Sequence, residues 1–314
     1  MCTFGVWSAF LMALIGKCRI NKYTKKKPLN PRSMRVICLV FWLMNSVLCL
    51  KNASAQLIKV EDFADPFGAI PFNKNFIKQH QIKAILMDKK VGDKAKERPF
   101  AHNYYQFDSD GNLTKYISVI GKDTNSISEY IYQNNQLRFE TLYHRQWNKT
   151  EVFTYFYEKN QLVKKQKTEK KELKFIENYS YNASKQLKKT TFITGFDSRI
   201  THFSYINTNK QAKLQHAITN NKTGATINQR NYLYNDFGDL VAIRSKTEED
   251  QTEYLFEYNN QMMFSKFTFI KNEKQIFEKS FHYDTRGFLL TETQVAADPK
   301  VGTIKVHYKY VYNP

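Results

Sequence analysis

A seven-residue pattern recurs along this chain and constrains its fold more than any other feature. Phe107-Asp108-Ser109-Asp110-Gly111-Asn112-Leu113 returns as Tyr234-Asn235-Asp236-Phe237-Gly238-Asp239-Leu240 and as Tyr283-Asp284-Thr285-Arg286-Gly287-Phe288-Leu289. Looser copies fill the intervals. Each copy opens on an aromatic-x-aromatic doublet, whose second members are Phe107, Tyr132, Tyr157, Tyr181, Tyr205, Tyr234, Tyr258, Tyr283 and Tyr312. They are 25, 25, 24, 24, 29, 24, 25 and 29 residues apart. A fixed period in this range marks stacked supersecondary units.

The unit reads as a β-hairpin. Aromatic residues two apart point to the same side of a strand. Phe153, Tyr155 and Tyr157 share a face; so do Phe277, Phe281 and Tyr283, while His282 faces the other way, as does His202 beside Phe203. Turns of Asn, Asp and Gly tolerate left-handed backbone. The apolar period is two rather than 3.6, and aromatic and β-branched residues abound, so helix is disfavoured.

Eight hairpins, a closing strand at 306–312 and a strand at 82–87 predict about 18 strands in an all-β antiparallel array. A twisted sheet of more than ~10 strands curls, splits or closes. The expectation is a strongly curved, rolled single sheet, Tyr/Phe face inward. The two longer steps predict loop insertions at 220–224 and 295–302. The repeat domain covers residues 101–314.

Phe107-Asp108-x-x-Gly111-x-Leu113 and its two close copies resemble the YD repeat of the Rhs/teneurin class. In that class the repeats wind a continuous sheet into a spiral shell, which in the toxins encloses a C-terminal effector. The resemblance implies the architecture and not a toxin, because fold does not set function. Only three units keep the Gly. The Asp position elsewhere reads Gln133, Glu158, Asn182, Ile206 and Asn259, and no effector follows Tyr312-Asn313-Pro314. Asp65-Pro66-Phe67-Gly68 shares the letters of the toxins' self-cleavage run, but it precedes the array and reads as a turn.

Residues 1–55 read as a leader. Arg32 and Arg35 precede the apolar run 36–50, and Ala53-Ser54-Ala55 offers a cleavage site before Gln56, the layout of a signal peptide. Met34 stands where such a peptide would begin, so residues 1–33 are either an extended n-region or not translated. An alternative is two short membrane segments, 4–16 and 36–50, each below the ~20 residues that span a bilayer. A lipoprotein reading through Cys49 lacks the small residue needed upstream.

All four cysteines lie before residue 56, so the processed chain would hold no disulfide, no Cys-ligated metal and no Cys nucleophile. The formal charge of +19 suggests anionic partners. Nine basic and no acidic residues fall in the leader, however, leaving 39 basic against 29 acidic residues beyond it. The Lys-rich stretch 164–174 reads as a solvated hairpin, and nucleic acid is disfavoured as a partner of an exported chain.

Residues 56–100 read as a cap that shields the first edge of the array, since terminal repeats must not leave an open strand edge. Within it Asp65 to Pro71 is turn chemistry, Asn73 caps a short helix through Gln79, residues 82–87 form a strand, and 88–98 form a loop.

The seven histidines include no H-E-x-x-H spacing, and neither a nucleophile elbow nor a phosphate loop is present. A pair of glycosidase carboxylates does not stand out from the repeat pattern. No catalytic residue, cofactor or metal is expected. The aromatic ladder has two readings. As core, each ring contributes roughly 1.5–3 kcal/mol on burial. As a binding surface, Tyr132, Tyr157, Tyr181, Tyr205, Tyr234, Tyr258 and Tyr283 would stack sugar rings or an extended peptide.

The functional expectation is an exported, non-enzymatic binding or structural module of the bacterial cell envelope, periplasmic, surface-bound or secreted. Its partner would be a glycan or protein of the envelope, with no stable transmembrane anchor after processing. The alternative is a carbohydrate-binding or adhesion protein using the Tyr/Phe face.

Overall fold

The computed structural model describes residues 56–58, 60, 72–92, 98–208 and 211–312. The leader and the 61–71 turns, Asp65-Pro66-Phe67-Gly68 included, lie outside the described residues. Of two compact units, one is Gln56–Glu257 with Phe264–Pro314; the described part of the other is the turn Tyr258–Met263.

Among the described residues one helix, α1 (Lys74–Gln79), precedes eighteen strands. The first six are β1 (Ile82–Val91), β2 (Arg98–Phe107), β3 (Leu113–Ile120), β4 (Asp123–Gln133), β5 (Gln136–His144) and β6 (Lys149–Glu158). Next come β7 (Gln161–Glu169), β8 (Glu172–Tyr181), β9 (Leu187–Thr194), β10 (Ser198–Thr208), β11 (Gln211–Asn220) and β12 (Thr226–Tyr234). The last six are β13 (Leu240–Lys246), β14 (Gln251–Tyr258), β15 (Phe264–Lys271), β16 (Lys274–Tyr283), β17 (Leu289–Ala296) and β18 (Thr303–Tyr312).

Each strand neighbours the next in sequence, and β1 pairs antiparallel with both β2 and β18. The sheet therefore closes into an 18-stranded barrel, which corrects the expected curved or rolled open sheet. Closure removes the two free edges that an open array would expose.

The seam lies in the segment 56–100: β1 is a full stave, paired from Ile82–Tyr312 to Val91–Ile304 on one side and from Ala84–Gln106 to Val91–Arg98 on the other. The expected loop over 88–98 is strand as far as Val91. Its charges alternate across the wall, with Lys89 paired to Val306 and Asp88 to His307, so the ladder tolerates them.

The repeat pattern has a local cause. In the five-residue turns that keep the glycine, the Asx side chain at the first position accepts two backbone N–H groups: Asp108 from Asp110 (3.0 Å) and Asn112 (2.8 Å), Asp284 from Arg286 (2.9 Å) and Phe288 (3.0 Å). The fourth position is left-handed, with φ +80° at Gly111 and +87° at Gly287, which explains the glycine. Lys185 and Met262 occupy it at φ 62° and 60° in units that lost the glycine. The Asn134-Asn135 and Lys159-Asn160 units use two-residue turns with both residues left-handed.

Among the described residues, the second aromatic of the doublet sits at a register break. Ile131 faces Phe139 but Tyr132 faces Leu137; Phe156 faces Lys164 but Tyr157 faces Leu162; His282 faces Thr291 but Tyr283 faces Leu289. Such bulges bend a strand and sharpen its twist. Repeated around the array, they favour closure.

The longer steps are loops at the opposite end of the barrel from the repeat turns. One is the turn Asn221–Ala225, closed by a 2.9 Å backbone hydrogen bond. The other follows β17 and contains the 3-10 turn Pro299–Val301.

The N-terminal segment seals part of the repeat-turn end. Asn73 caps α1 as expected, accepting from Asn75 and Phe76 N–H at 3.2 and 3.3 Å. Phe76 and Ile77 are buried, with the Phe76 ring 5.0 Å from Phe288 and the Phe72 ring 4.8 Å from Tyr105. Gln56 Oε1 accepts the Phe264 N–H at 2.8 Å, and the Leu57 N–H donates to Gly287 O. Lys74 Nζ hydrogen-bonds Asn112 Oδ1. The core is therefore concentrated on β15 to β18 and β1 to β3, where Ile85, Phe107, Leu113, Phe264, Phe281 and Leu289 are buried.

The outer wall carries charge along its length. Lys115 pairs with Glu129 (2.9 Å), Arg244 with Glu253 (2.6 Å), Lys266 with Glu278 (2.9 Å) and Lys309 with Asp88 (2.7 Å). His202 and His282 are exposed on this side, as the alternation predicted. Among the described residues no helix is long and apolar enough to cross a membrane.

Candidate functional site

The repeat aromatics line the inner wall. Register places Tyr105 opposite Tyr116, Tyr130 opposite Glu140, Tyr155 opposite Lys165, and Tyr179 opposite Thr190. On the β4 to β9 side, away from α1, most inner-wall side chains are half-buried rather than buried. A barrel of this strand number is wide enough to leave aqueous space inside, so these side chains border solvent within a wall.

The seven predicted stacking residues separate into groups. Tyr181, Tyr205 and Tyr234 are half-buried and spend their hydroxyls on backbone carbonyls of Leu162, Leu187 and Leu214, at 2.8, 2.9 and 2.8 Å. Their first role is structural. The buried Tyr283 hydroxyl has no hydrogen-bond partner among the described residues, and burial, aided by the charge of Glu292, pushes its pKa up. Tyr258 is half-buried.

Tyr132 and Tyr157 remain as the pair on the half-open wall. Burial raises both phenols; for Tyr157 the Arg138 guanidinium, 4.9 Å from the ring centre, opposes that rise. Tyr130, beside them, is pushed to about 12 by burial and by the Glu140 carboxylate.

Sequence reasoning missed the charges woven into this face. Tyr155 Oη donates to Glu140 Oε2 at 2.8 Å, and Tyr179 Oη to Glu177 Oε2 at 2.7 Å. Glu151 is buried and accepts from Lys149 at 2.7 Å and Lys167 at 2.9 Å; Lys149 also reaches Glu169 at 3.0 Å. Burial pulls the Glu151 pKa up, but the two lysines outweigh it and the net shift is downward. Lys165 lies 5.2 and 5.5 Å from the Phe153 and Tyr155 ring centres.

The Lys-rich hairpin is thus not simply solvated: Lys165 and Lys167 face inward and Lys164 outward, over Phe156. Counting by two from each aromatic, through the turn and back, would have placed these residues on the ring side. The signal was present, and the bulge at Tyr157 is what carries that parity through the two-residue turn.

Chemically the inner wall offers ring faces flanked by fixed carboxylates and ammonium groups, the usual lining of a site for polar ligands with apolar faces. Among the described residues no group of three His, Cys, Asp or Glu side chains is placed to hold a metal ion.

No protein-family profile matches the chain, and no curated protein sequence matches it. Among solved structures, it is similar to a porin-like protein from Bacteroides uniformis ATCC 8492, with 14% identity and TM-score 0.43 over 73% of this chain and 98% of that one. It is also similar to the TcdB2-TccC3-TEV structure, with 10% identity and TM-score 0.29 over 68% of this chain and 15% of that one.

Proposed function

We propose that this chain is an exported, non-enzymatic barrel of the cell envelope that binds an elongated polar polymer, a glycan strand in the first instance, inside its wall. The observation that carries the reading is the half-open inner surface of β4 to β9, where Tyr130, Tyr132, Tyr155 and Tyr157 stand beside Glu140 and Arg138. A pyranose ring presents C–H faces to aromatic rings and hydroxyls to carboxylates, and this surface has both. Export rests on the leader, and the absence of cysteine after residue 49 suits any redox compartment.

Two features shape the reading. The aromatic face points inward, so adhesion through an exposed Tyr/Phe sheet is less well supported than enclosure of a ligand. The outer wall carries ion pairs, whereas charges facing lipid at the bilayer midplane cost ~2–4 kcal/mol each, so the barrel is read as standing in water. The resemblance to YD arrays, whose shells surround their contents, points the same way.

The test is titration of the purified protein with soluble envelope glycans by calorimetry, beside a Tyr132→Ala, Tyr157→Ala double variant. Binding should be lost in the variant while its urea midpoint falls by no more than the packing loss predicts. Undiminished binding, or no binding by the parent to any envelope glycan, defeats the reading.

A further inference from the structure

The two ends of the barrel differ in kind. One carries the repeat turns and α1. At the other, four successive return turns place large apolar side chains in solvent. Ile120 (49% exposed) ends β3, Trp147 (65%) lies between β5 and β6, Leu173 (53%) opens β8, and Phe196 (96%) lies between β9 and β10. Hairpin tips are normally Asn, Asp or Gly, and folding gains nothing from a phenyl or indole group held in water there.

Charge follows the same arc. The turns 120–123, 144–149, 169–174 and 194–199 hold seven basic and four acidic residues. The other return turns with described residues throughout, 220–226, 246–251, 271–274 and 296–303, hold five of each and no aromatic residue, and Val301 (54% exposed) is the exposed large apolar side chain among them. Lys170 and Lys171 form a two-residue turn with φ 48° and 67°, a backbone that Asn-Gly adopts more readily. Local turn preference does not account for lysines at that tip.

We propose that this arc of the rim docks on an anionic phospholipid surface. Trp147 and Phe196 enter the interfacial layer, where aromatic side chains are favoured, and Arg145, Lys170 and Lys171 meet the phosphates. The barrel stands end-on, because its charged outer wall does not suit the hydrocarbon. The inference is independent of what the inner wall binds.

Trp147 is one of three tryptophans, with Trp7 and Trp42 in the leader. In a full chain carrying Trp7→Phe and Trp42→Phe, Trp147 alone reports. Vesicles of phosphatidylglycerol with phosphatidylcholine should shift its emission to the blue, and brominated lipid should quench it. Vesicles of phosphatidylcholine alone should do neither. Lys170→Asn with Lys171→Gly, which suits the turn, should lower the partition constant on the order of thirtyfold, from ~1 kcal/mol per lysine near the surface. Phe196→Ser, at an exposed tip, should weaken it without moving the urea midpoint.

No blue shift on anionic vesicles overturns the proposal, as does an equal response to both vesicle types. Shielding of Trp147 only by protein-bearing envelope membranes would assign the rim to a protein partner and also overturn it.

Discussion

The hydroxyl of Tyr181 donates to the backbone carbonyl of Leu162, 2.8 Å away, tying one repeat to the residue that ends the turn of the repeat before it. Tyr205 to Leu187 and Tyr234 to Leu214 repeat the link at 2.9 and 2.8 Å, and Tyr310 to Leu289 is a variant at 2.6 Å. The aromatic and the leucine of the signature are thus partners between neighbouring hairpins. This gives the repeat a reason to be tyrosine, where packing alone would accept phenylalanine.

Replacing Tyr205 by Phe should therefore cost about 1 kcal/mol, the net worth of one hydrogen bond. Tyr205→Ala should cost about 3–5 kcal/mol by adding lost packing. Urea denaturation measures both; equal losses would mean that the hydroxyl contributes nothing.

Two glycines with left-handed backbone should respond differently to alanine. At Gly224 (φ +88°) an added Cβ meets nothing within 4 Å, so the loss is conformational, about 1 kcal/mol. At Gly111 (φ +80°) it runs into the backbone carbonyl of Lys74 in α1. Gly111→Ala should therefore lose a further 1–3 kcal/mol or so and weaken the docking of α1, seen as faster amide exchange at 76–80. In the opposite sense, Lys185→Gly should gain up to about 1 kcal/mol, because lysine now holds the left-handed position.

The seam has a titrating latch. Asp88 on β1 accepts from Lys309 on β18 at 2.7 Å and from His102 on β2 at 2.8 Å. These bonds hold its pKa below the ordinary 3.8, Lys309 being the larger cause. A depressed carboxyl pKa contributes stability in full above its unfolded value and loses it as pH falls through the folded one. Asp88→Asn should destabilise at pH 7 by no more than an exposed pair is worth, about 1 kcal/mol or less. The gap between the two proteins should close as pH falls below about 4. Urea midpoints across pH 2–7 decide it; a gap that persists at low pH would mean the contact is not ionic.

Alkali should act on the inner wall. Burial and the carboxylates of Glu140 and Glu177 push the Tyr155 and Tyr179 phenols far above 10, and Tyr130 to about 12. A raised phenol pKa contributes stability in full below its unfolded value near 10 and loses it as pH rises. Stability should fall from about pH 10 upward, and tyrosinate absorbance should rise in a step that coincides with loss of the sheet signal. Gradual ionisation of all tyrosines near pH 10 with the sheet intact would contradict the inner-wall placement.

Much of the local structure could be read from residue types. Asp108, Asn235 and Asp284 announce Asx turns, Gly111 and Gly287 the left-handed corner, and the Phe153-Tyr155-Tyr157 alternation a one-faced strand. The candidate site was read less completely. The aromatic positions were visible, but Glu140, Glu151, Glu177 and Lys167 looked like surface charges, because charged side chains are ordinarily assigned to solvent, although Glu151 and Glu177 stand two residues before Phe153 and Tyr179 on their own strands. The strand over Asp88–Val91 was missed because four residues with three charges are held only by ladders to β2 and β18.

Local chemistry within each two-dozen-residue unit determined the hairpins, their turns and the segregation of tyrosine and phenylalanine to one face, since each depends on contacts a few residues apart. Tertiary structure decided that the sheet closes, that the ring face became an interior, and that α1 seals part of one end. Those outcomes depend on twist and bulge accumulated over eighteen strands and on pairings such as Asp88 with Lys309, 221 residues apart, which no single repeat encodes.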